Sequence, residues 1–313
     1  MLILLYHGVR PTEDRVSPDI RQKHVSSTSF EQQLRFLEKT HRFYSLHDVQ
    51  THIERGISLP RNGACITFDD GYQNNATIAA PILKRLGIPA TFFVTTGFID
   101  HRHLLWVDRF ESAFSQLSHP QLDFQIQQKH ITLNLTLPEL RKISDSSMRE
   151  TLKQCDPEER ERVLLELENR VGSNKIFPLH EPMTWDQIRQ LRSDGFEIGP
   201  HTVTHPILSR CTTEQVEQEV LESKRRVEQE LGQSVLHFAH PNGQPSDWNP
   251  AVMNIIRRAG FKTCSTTIGR RTRRMEDPFF LPRLTVDMGD DFFRFVLTCS
   301  GIRSMLSSIK RLF

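Results

Sequence analysis

Two short segments far apart in the chain hold residues that together can bind a divalent ion and activate water. Asp69 and Asp70 sit in Ile66-Thr67-Phe68-Asp69-Asp70-Gly71-Tyr72, and His201 and His205 sit in His201-Thr202-Val203-Thr204-His205. Two imidazoles and one carboxylate fill part of a coordination shell and leave positions for water and substrate. A second carboxylate is then free to act as a base. Neighbouring side chains at a strand end diverge, so one aspartate can face the ion and the other the water. Each motif alone has a plainer meaning, since Asp-Gly pairs end many strands and strand-end histidines are common. Both pairs follow apolar runs that read as buried strands, and that coincidence makes hydrolysis the expected chemistry.

The elements that must position these residues alternate along the chain. Short continuous apolar runs at 2–6, 64–68, 90–95, 196–199, 235–239, 263–267 and 280–286 read as strands buried on both faces. Helical patterns lie between them. One spans 29–40, with Ser29 as its N-cap; another spans 75–86 and stops at Gly87. Further patterns cover 185–193, 213–231 ending at Gly232, and 250–259 ending at Gly260. Alternating strand and helix predicts a parallel α/β architecture, and about seven strands favour a complete or incomplete barrel. Residues 101–182 break the rhythm. They read as a mainly helical insertion after the third strand, with helices at 104–117, 137–153 and 157–171 and an alternating strand pair at 123–127 and 130–135. The rest of 1–313 is expected to form one domain. In 302–313, Ile302, Met305, Leu306, Ile309 and Phe313 recur at helical spacing, which predicts a C-terminal amphipathic helix. It packs on the barrel or, as the alternative, touches an anionic membrane surface through its basic flank.

Composition sets the outer bounds. The 313 residues are 37% hydrophobic and 25% charged, enough apolar content for a sizeable core. A formal net charge of +2 makes no case for a nucleic-acid partner. Five scattered cysteines without C-x-x-C spacing suggest reduced thiols over a disulfide framework. The opening apolar stretch is short and lacks a basic leader, so it reads as a strand, not an export signal. A cytoplasmic protein, peripheral on the inner membrane face if the tail binds lipid, is the corresponding expectation. Oligomeric state is left open.

The segments Thr67-Phe68-Asp69-Asp70-Gly71 and His201-Thr202-Val203-Thr204-His205 resemble the first two motifs of the NodB-homology polysaccharide deacetylases. Phe238-Ala239-His240-Pro241-Asn242-Gly243 looks like the third. The resemblance runs from Leu4-Tyr6-His7 to Arg283 outside the insertion. It implies a distorted (β/α)7-type barrel and metal-dependent removal of acetyl from N-acetylated sugars. By position it implies Asp69 as catalytic base, and Asp70, His201 and His205 as metal ligands. It also implies a backbone donor at Asn242 for the oxyanion. The family's base-orienting arginine is replaced by Ala239, and Arg283 is the candidate to supply that charge from a neighbouring strand. The family's C-terminal acid histidine is absent, since no histidine follows His240. Tyr6-His7-Gly8 instead resembles the circularly permuted branch that includes poly-N-acetylglucosamine deacetylases, which implies His7 as general acid.

Zinc is the default ion for two imidazoles and a carboxylate, and Co2+, Mn2+, Ni2+ or Fe2+ suit the same donors. The implied substrate is an N-acetylhexosamine polysaccharide, oligosaccharide or lipid-linked precursor. Trp248 offers a wall for a sugar ring, or simply packs. Arg270-Arg271-Thr272-Arg273-Arg274 reads as a solvated loop, or as a contact for substrate phosphate. Two other functions stay open: hydrolysis of another non-peptide C–N bond such as a ring amide, and an inactive glycan-binding or membrane-associated scaffold.

Overall fold

The computed structural model describes residues 1–14, 23–101, 104–172, 177–273, 276–286 and 291–300. The expected amphipathic helix at 302–313 and Arg274 lie outside the described residues.

The first strand, Leu2–Tyr6, is buried along its whole length because both of its edges are paired and both faces covered. On one side it pairs in parallel with Gly63–Phe68, in register Leu4 to Ile66, and on the other with Leu284–Thr285, in register Leu4 to Leu284. Gly63–Phe68 pairs onward with Ala90–Val94, and that strand with Glu197–Pro200, again in parallel. A second ladder joins His237–Ala239 to Thr263–Ser265. Two junctions close the ring. Ser265 bridges Leu281, just ahead of the Leu284–Thr285 strand. At the other junction the described ladders break, and Gly199 lies so close to the neighbouring backbone that an added Cβ would sit 2.5 Å from the His237 carbonyl oxygen. Only glycine permits that approach. The outcome is a distorted seven-stranded barrel with helices outside, as expected for strands that read as uniformly apolar.

Several expected elements differ in detail. The first helix is Ser27–Thr40 with Ser26 as N-cap, its side chain accepting from the Ser29 N–H at 3.2 Å; Ser29 itself is inside the helix. The chain passes directly from the short strand His24–Ser26 into this helix, which moves the cap upstream. The helix expected over 75–86 begins with a wide turn, Asn75–Ala79, before Ala80–Leu86, and Pro81 has no N–H to extend a regular ladder. The expected strand over 280–286 shrinks to Leu284–Thr285, because Pro278–Phe280 forms a tight helical turn and Pro282 breaks the ladder. Gly8–Arg10, its partner His24–Ser26, and Arg42–Phe43 are strands of two or three residues, too short to show periodicity.

The insertion has helices Trp106–Gln116, Pro138–Gln154 and Pro157–Val171 and an antiparallel hairpin, Gln121–Ile126 with Lys129–Asn134. Leu122, Phe124 and Ile126 alternate inward from the hairpin, while the helices bury Phe110, Phe114, Met148, Leu152, Leu164 and Leu167. That apolar cluster also includes Tyr72, Phe98 and Ile207 of the barrel, so the insertion is packed onto the rim by the hydrophobic effect. No helix among the described residues is long and apolar enough to cross a membrane.

Candidate active site

The catalytic candidates come together at the C-terminal ends of the barrel strands, where parallel α/β folds place their chemistry. Asp69 extends the strand register, its N–H donating to the Tyr6 carbonyl at 3.0 Å. Asp70 then turns sharply, with φ 76°, and Gly71 follows with φ 96°. Consecutive carboxylates are thereby sent in different directions, as the sequence suggested. Of the six non-glycine residues with positive φ among the described residues, two form the insertion hairpin turn. The other four are Asp70, Thr202, His205 and Asn242. Left-handed backbone is uncommon for such residues and unusual for a β-branched threonine, so strain is concentrated at this site.

The histidine loop is held from both sides. The His201 N–H donates to Val94 O at 2.9 Å, and the His205 N–H donates to Thr202 Oγ1 at 3.1 Å. Glu219, on helix Thr213–Leu231, accepts from the Val203 N–H at 2.7 Å, the Thr204 N–H at 2.9 Å and Thr204 Oγ1 at 2.6 Å. Two imidazoles and one carboxylate then converge. Asp70 Oδ1 is 3.4 Å from His205 Nε2 and 3.7 Å from His201 Nε2. Asp70 Oδ1 is buried with no hydrogen-bond partner among the described residues. His201 Nδ1 lies 2.8 Å from the Ala239 carbonyl, so it carries the proton and Nε2 presents its lone pair. Burial pushes His205 down to about 4 against the pull of Asp70, leaving it neutral at ordinary pH, which is the form that ligates a metal. This buried, converging set of one carboxylate and two imidazoles fits a divalent ion.

Asp69 has a different environment. Arg283 is fully buried and grips it with both arms, Nη1 to Oδ1 and Nη2 to Oδ2, each at 2.7 Å. Arg283 is itself positioned by Thr266 O at 3.0 Å and Thr67 Oγ1 at 3.2 Å. Burial alone would raise the Asp69 carboxyl, but the Arg283 charge and hydrogen bonds, with His201 and His7 nearby, hold it below the usual carboxylate range. A buried cation is thus delivered to Asp69 by the Leu281-Pro282-Arg283-Leu284 segment.

A cavity of about 210 Å3 opens over these groups; its walls include His7, Lys23, Asp69, Asp70, Arg149 and Asn242. His7 directly follows the first strand, so it stands beside Asp69 across the Leu2–Tyr6 and Gly63–Phe68 pairing. Trp248 is not part of that lining. Its ring stacks on His240 and packs against Phe280, with centroids 6.0 and 4.9 Å away. The expectation of a sugar-facing Trp248 gives way to packing. Arg270 and Arg271 of the arginine loop are tied into the fold. Arg270 pairs with Glu276 at 2.7 Å, and Arg271 donates to the carbonyls of Arg61 and Cys299 at 2.7 and 3.1 Å. Thr272 meets Met1, at the opposite end of the first strand from His7.

Residue types alone did not reveal Glu219, Lys23, Arg149 or Trp106. Glu219 lies on a helix rich in charge, where Lys224–Glu228 and Arg226–Glu230 form ordinary i,i+4 pairs, and nothing in its spacing sets it apart. Lys23 is buried against Asp108 and Tyr72, and Trp106 donates to the His205 carbonyl at 3.2 Å. These contacts depend on how the insertion docks.

Comparison with known proteins places this geometry. The family model for polysaccharide deacetylase matches residues 57–264, more than half of the chain. A poly-β-1,6-N-acetyl-D-glucosamine N-deacetylase of Staphylococcus aureus is 35% identical over 108 residues, covering 31% of this chain and 37% of the relative. A chitooligosaccharide deacetylase of Azorhizobium caulinodans is 31% identical over 84 residues, covering 26% of this chain and 39% of that protein. The matches therefore span little more than a third of these relatives. The solved structures of IcaB from Ammonifex degensii and of the Streptococcus pyogenes deacetylase PplD share the fold. Their TM-scores are 0.61 and 0.60, at 19% and 18% identity, over 96% and 94% of this chain and 95% and 96% of theirs. A family match running from ahead of the Asp69-Asp70 strand to the strand beyond His240, on a barrel that gathers those motifs, makes this chain a member of the polysaccharide deacetylase family.

Proposed function

We propose that this chain is a metal-dependent N-deacetylase that hydrolyses the acetamide of an N-acetylhexosamine in a polysaccharide, oligosaccharide or lipid-linked precursor. The observation that carries this reading is the contrast between two adjacent carboxylates. Asp70 faces two imidazoles, while Asp69 faces a buried bidentate arginine. A divalent ion held by Asp70, His201 and His205 would supply Lewis acidity, polarising the acetyl carbonyl and acidifying water; zinc suits the donors, as do Co2+, Mn2+, Ni2+ and Fe2+.

The chain's own residues do the rest. Asp69 stays ionised despite burial and points into the cavity, so it takes the proton of the attacking water. The Asn242 backbone, turned at φ 59°, offers its N–H to the developing oxyanion. His7 gives a proton to the departing amine, which is a poor leaving group without one. The names of the staphylococcal and rhizobial relatives point to amino-sugar substrates, which favours a hexosamine acetamide over a ring amide.

The test is acetate release from a panel of N-acetylated oligosaccharides and lipid-linked saccharides, comparing wild type with Asp69→Asn after metal quantification. The expected result is acetate from at least one substrate, lost about 100-fold or more in the variant while metal is retained. Metal-replete wild type that releases no acetate from any substrate would overturn the assignment in favour of another C–N hydrolase. A scaffold role would show as protein without a stoichiometric ion.

A further inference from the structure

Among the described residues, nothing in the fold or the proposed chemistry uses the full hydrogen-bonding capacity of Arg149. It comes from the insertion helix Pro138–Gln154 and is 3% exposed, yet it lines the catalytic cavity. Its guanidinium lies over the Phe110 ring, 4.7 Å from the centroid, and Nη2 donates to Asp145 at 2.8 Å. Nε and Nη1 are buried with no hydrogen-bond partner among the described residues. Leaving charged donors dry and unanswered is costly, which marks a place where something else supplies oxygen atoms.

Among the described residues, the other charges of the cavity do not supply them. Asp69 is paired with Arg283, and Asp70 Oδ1 faces the two histidines. Asp247 accepts from the Gln244 N–H at 2.8 Å and from Ser246 Oγ at 3.3 Å. Lys23 is committed to Asp108, and Lys153 to Glu150 at 2.8 Å. Asn242 Nδ2 is likewise a buried donor of this cavity without a partner. Three unanswered donor atoms on two side chains of one small cavity call for a group rich in acceptors. Arginine's planar fork matches the oxygens of a carboxylate or phosphate. The cavity, at about 210 Å3, is smaller than the ~300–1,000 Å3 of typical ligand sites, so such a group must be close to the scissile acetamide.

We propose that Arg149 forms an oxyanion subsite, so that the substrate is an acidic glycan bearing a phosphate or carboxylate on the acetamido sugar or its immediate neighbour. The inference rests on the deacetylase reading for its chemistry, and the insertion becomes the part of the fold that selects the substrate.

The test uses the metal-loaded enzyme and three matched oligosaccharides of equal length: one neutral, one with a phosphate next to the acetamido sugar, one with a uronic acid there. Wild type is expected to favour one acidic substrate over the neutral one by tenfold or more in kcat/KM, chiefly through KM. The preferred acidic series identifies phosphate or carboxylate as the group. In Arg149→Gln the acidic-to-neutral ratio is expected to fall within twofold of unity, and Arg149→Lys should recover part of it. A wild-type ratio near one overturns the proposal without any variant, as does a ratio that survives in a folded Arg149→Gln. If no saccharide yields acetate, the deacetylase reading fails and the subsite is judged by binding. N-acetylglucosamine 1-phosphate should then bind wild type at least tenfold more tightly than N-acetylglucosamine, with the gap closing in Arg149→Gln. A missing gap, or one insensitive to the substitution, overturns it.

Discussion

A buried carboxylate can serve as a base only if something keeps it ionised and aimed, and for Asp69, the proposed base, that is Arg283. Both partners are almost wholly removed from solvent, so removing one strands the other as a lone buried charge. Arg283→Met should cost about 3–5 kcal/mol of stability, measured by urea unfolding. Its kinetic effect has a definite sign. Without the cation, burial dominates and the Asp69 carboxyl rises, so the acid limb of the kcat/KM profile should move to higher pH. If Arg283 acts through Asp69, adding the substitution to Asp69→Asn should cost little further activity. The candidate role of Arg283 could be posed from the sequence because a charge was missing at Ala239 and one stood near a later strand end. The bidentate geometry could not, since Pro282 breaks that strand and changes its pairing partner between Leu281 and Leu284.

At the scale of elements, the strands and the helices of the insertion were readable because each is apolar at its own period, with Asp156 and Gly172 marking the ends of Pro157–Val171. Where the insertion docks was not, because docking is a matter of surfaces that are far apart in sequence. Its first helix shows the consequence. Trp106 buries its ring beneath the Arg160 guanidinium, 4.9 Å from the centroid, and donates to the carbonyl of His205. His205 occupies a left-handed backbone conformation that is uncommon outside glycine, so this bond helps hold the proposed metal ligand in place. Trp106→Phe keeps most of the packing and removes the donor. It should weaken metal affinity by about tenfold, measured by competition with a chelator, because partners that orient a ligand commonly contribute 10–100-fold. Glu219 acts similarly from the outer helix, where its charge looked like one more member of a solvated face.

For the whole molecule, the two ends of the barrel have separate duties. The C-terminal strand ends hold the strained, charged cavity. At the other end Glu197 accepts from the Leu46 and His47 N–H groups, at 3.0 and 2.9 Å, and from Thr91 Oγ1 at 2.5 Å, pinning helix Leu46–Glu54 to the sheet. His237 lies there, buried where the Glu197–Pro200 and His237–Ala239 strands approach most closely, with Nδ1 2.9 Å from Thr263 Oγ1. Burial lowers its pKa to about 4, against a pull from Glu197, whereas an unfolded histidine titrates near ~6.5. Between those values the unfolded chain binds a proton that the folded chain does not. The stability linked to His237 is therefore fully present above about pH 6.5 and lost as pH falls toward 4, by up to about 1.4 kcal/mol per pH unit. His240, lowered to about 3 by burial, adds a loss of the same sign. Release of the proposed metal ion in acid would add a further loss, so the absolute slope is a sum. Replacing His237 isolates one component: His237→Gln keeps a polar side chain within reach of Thr263 and cannot titrate. Urea unfolding of the metal-loaded protein from pH 7.5 to 4.5 should give a stability slope shallower by about one proton in the variant, with both proteins losing metal alike. Equal slopes would mean that the barrel opens locally around His237 before it unfolds, and that its closure at Gly199 is looser than the packing implies.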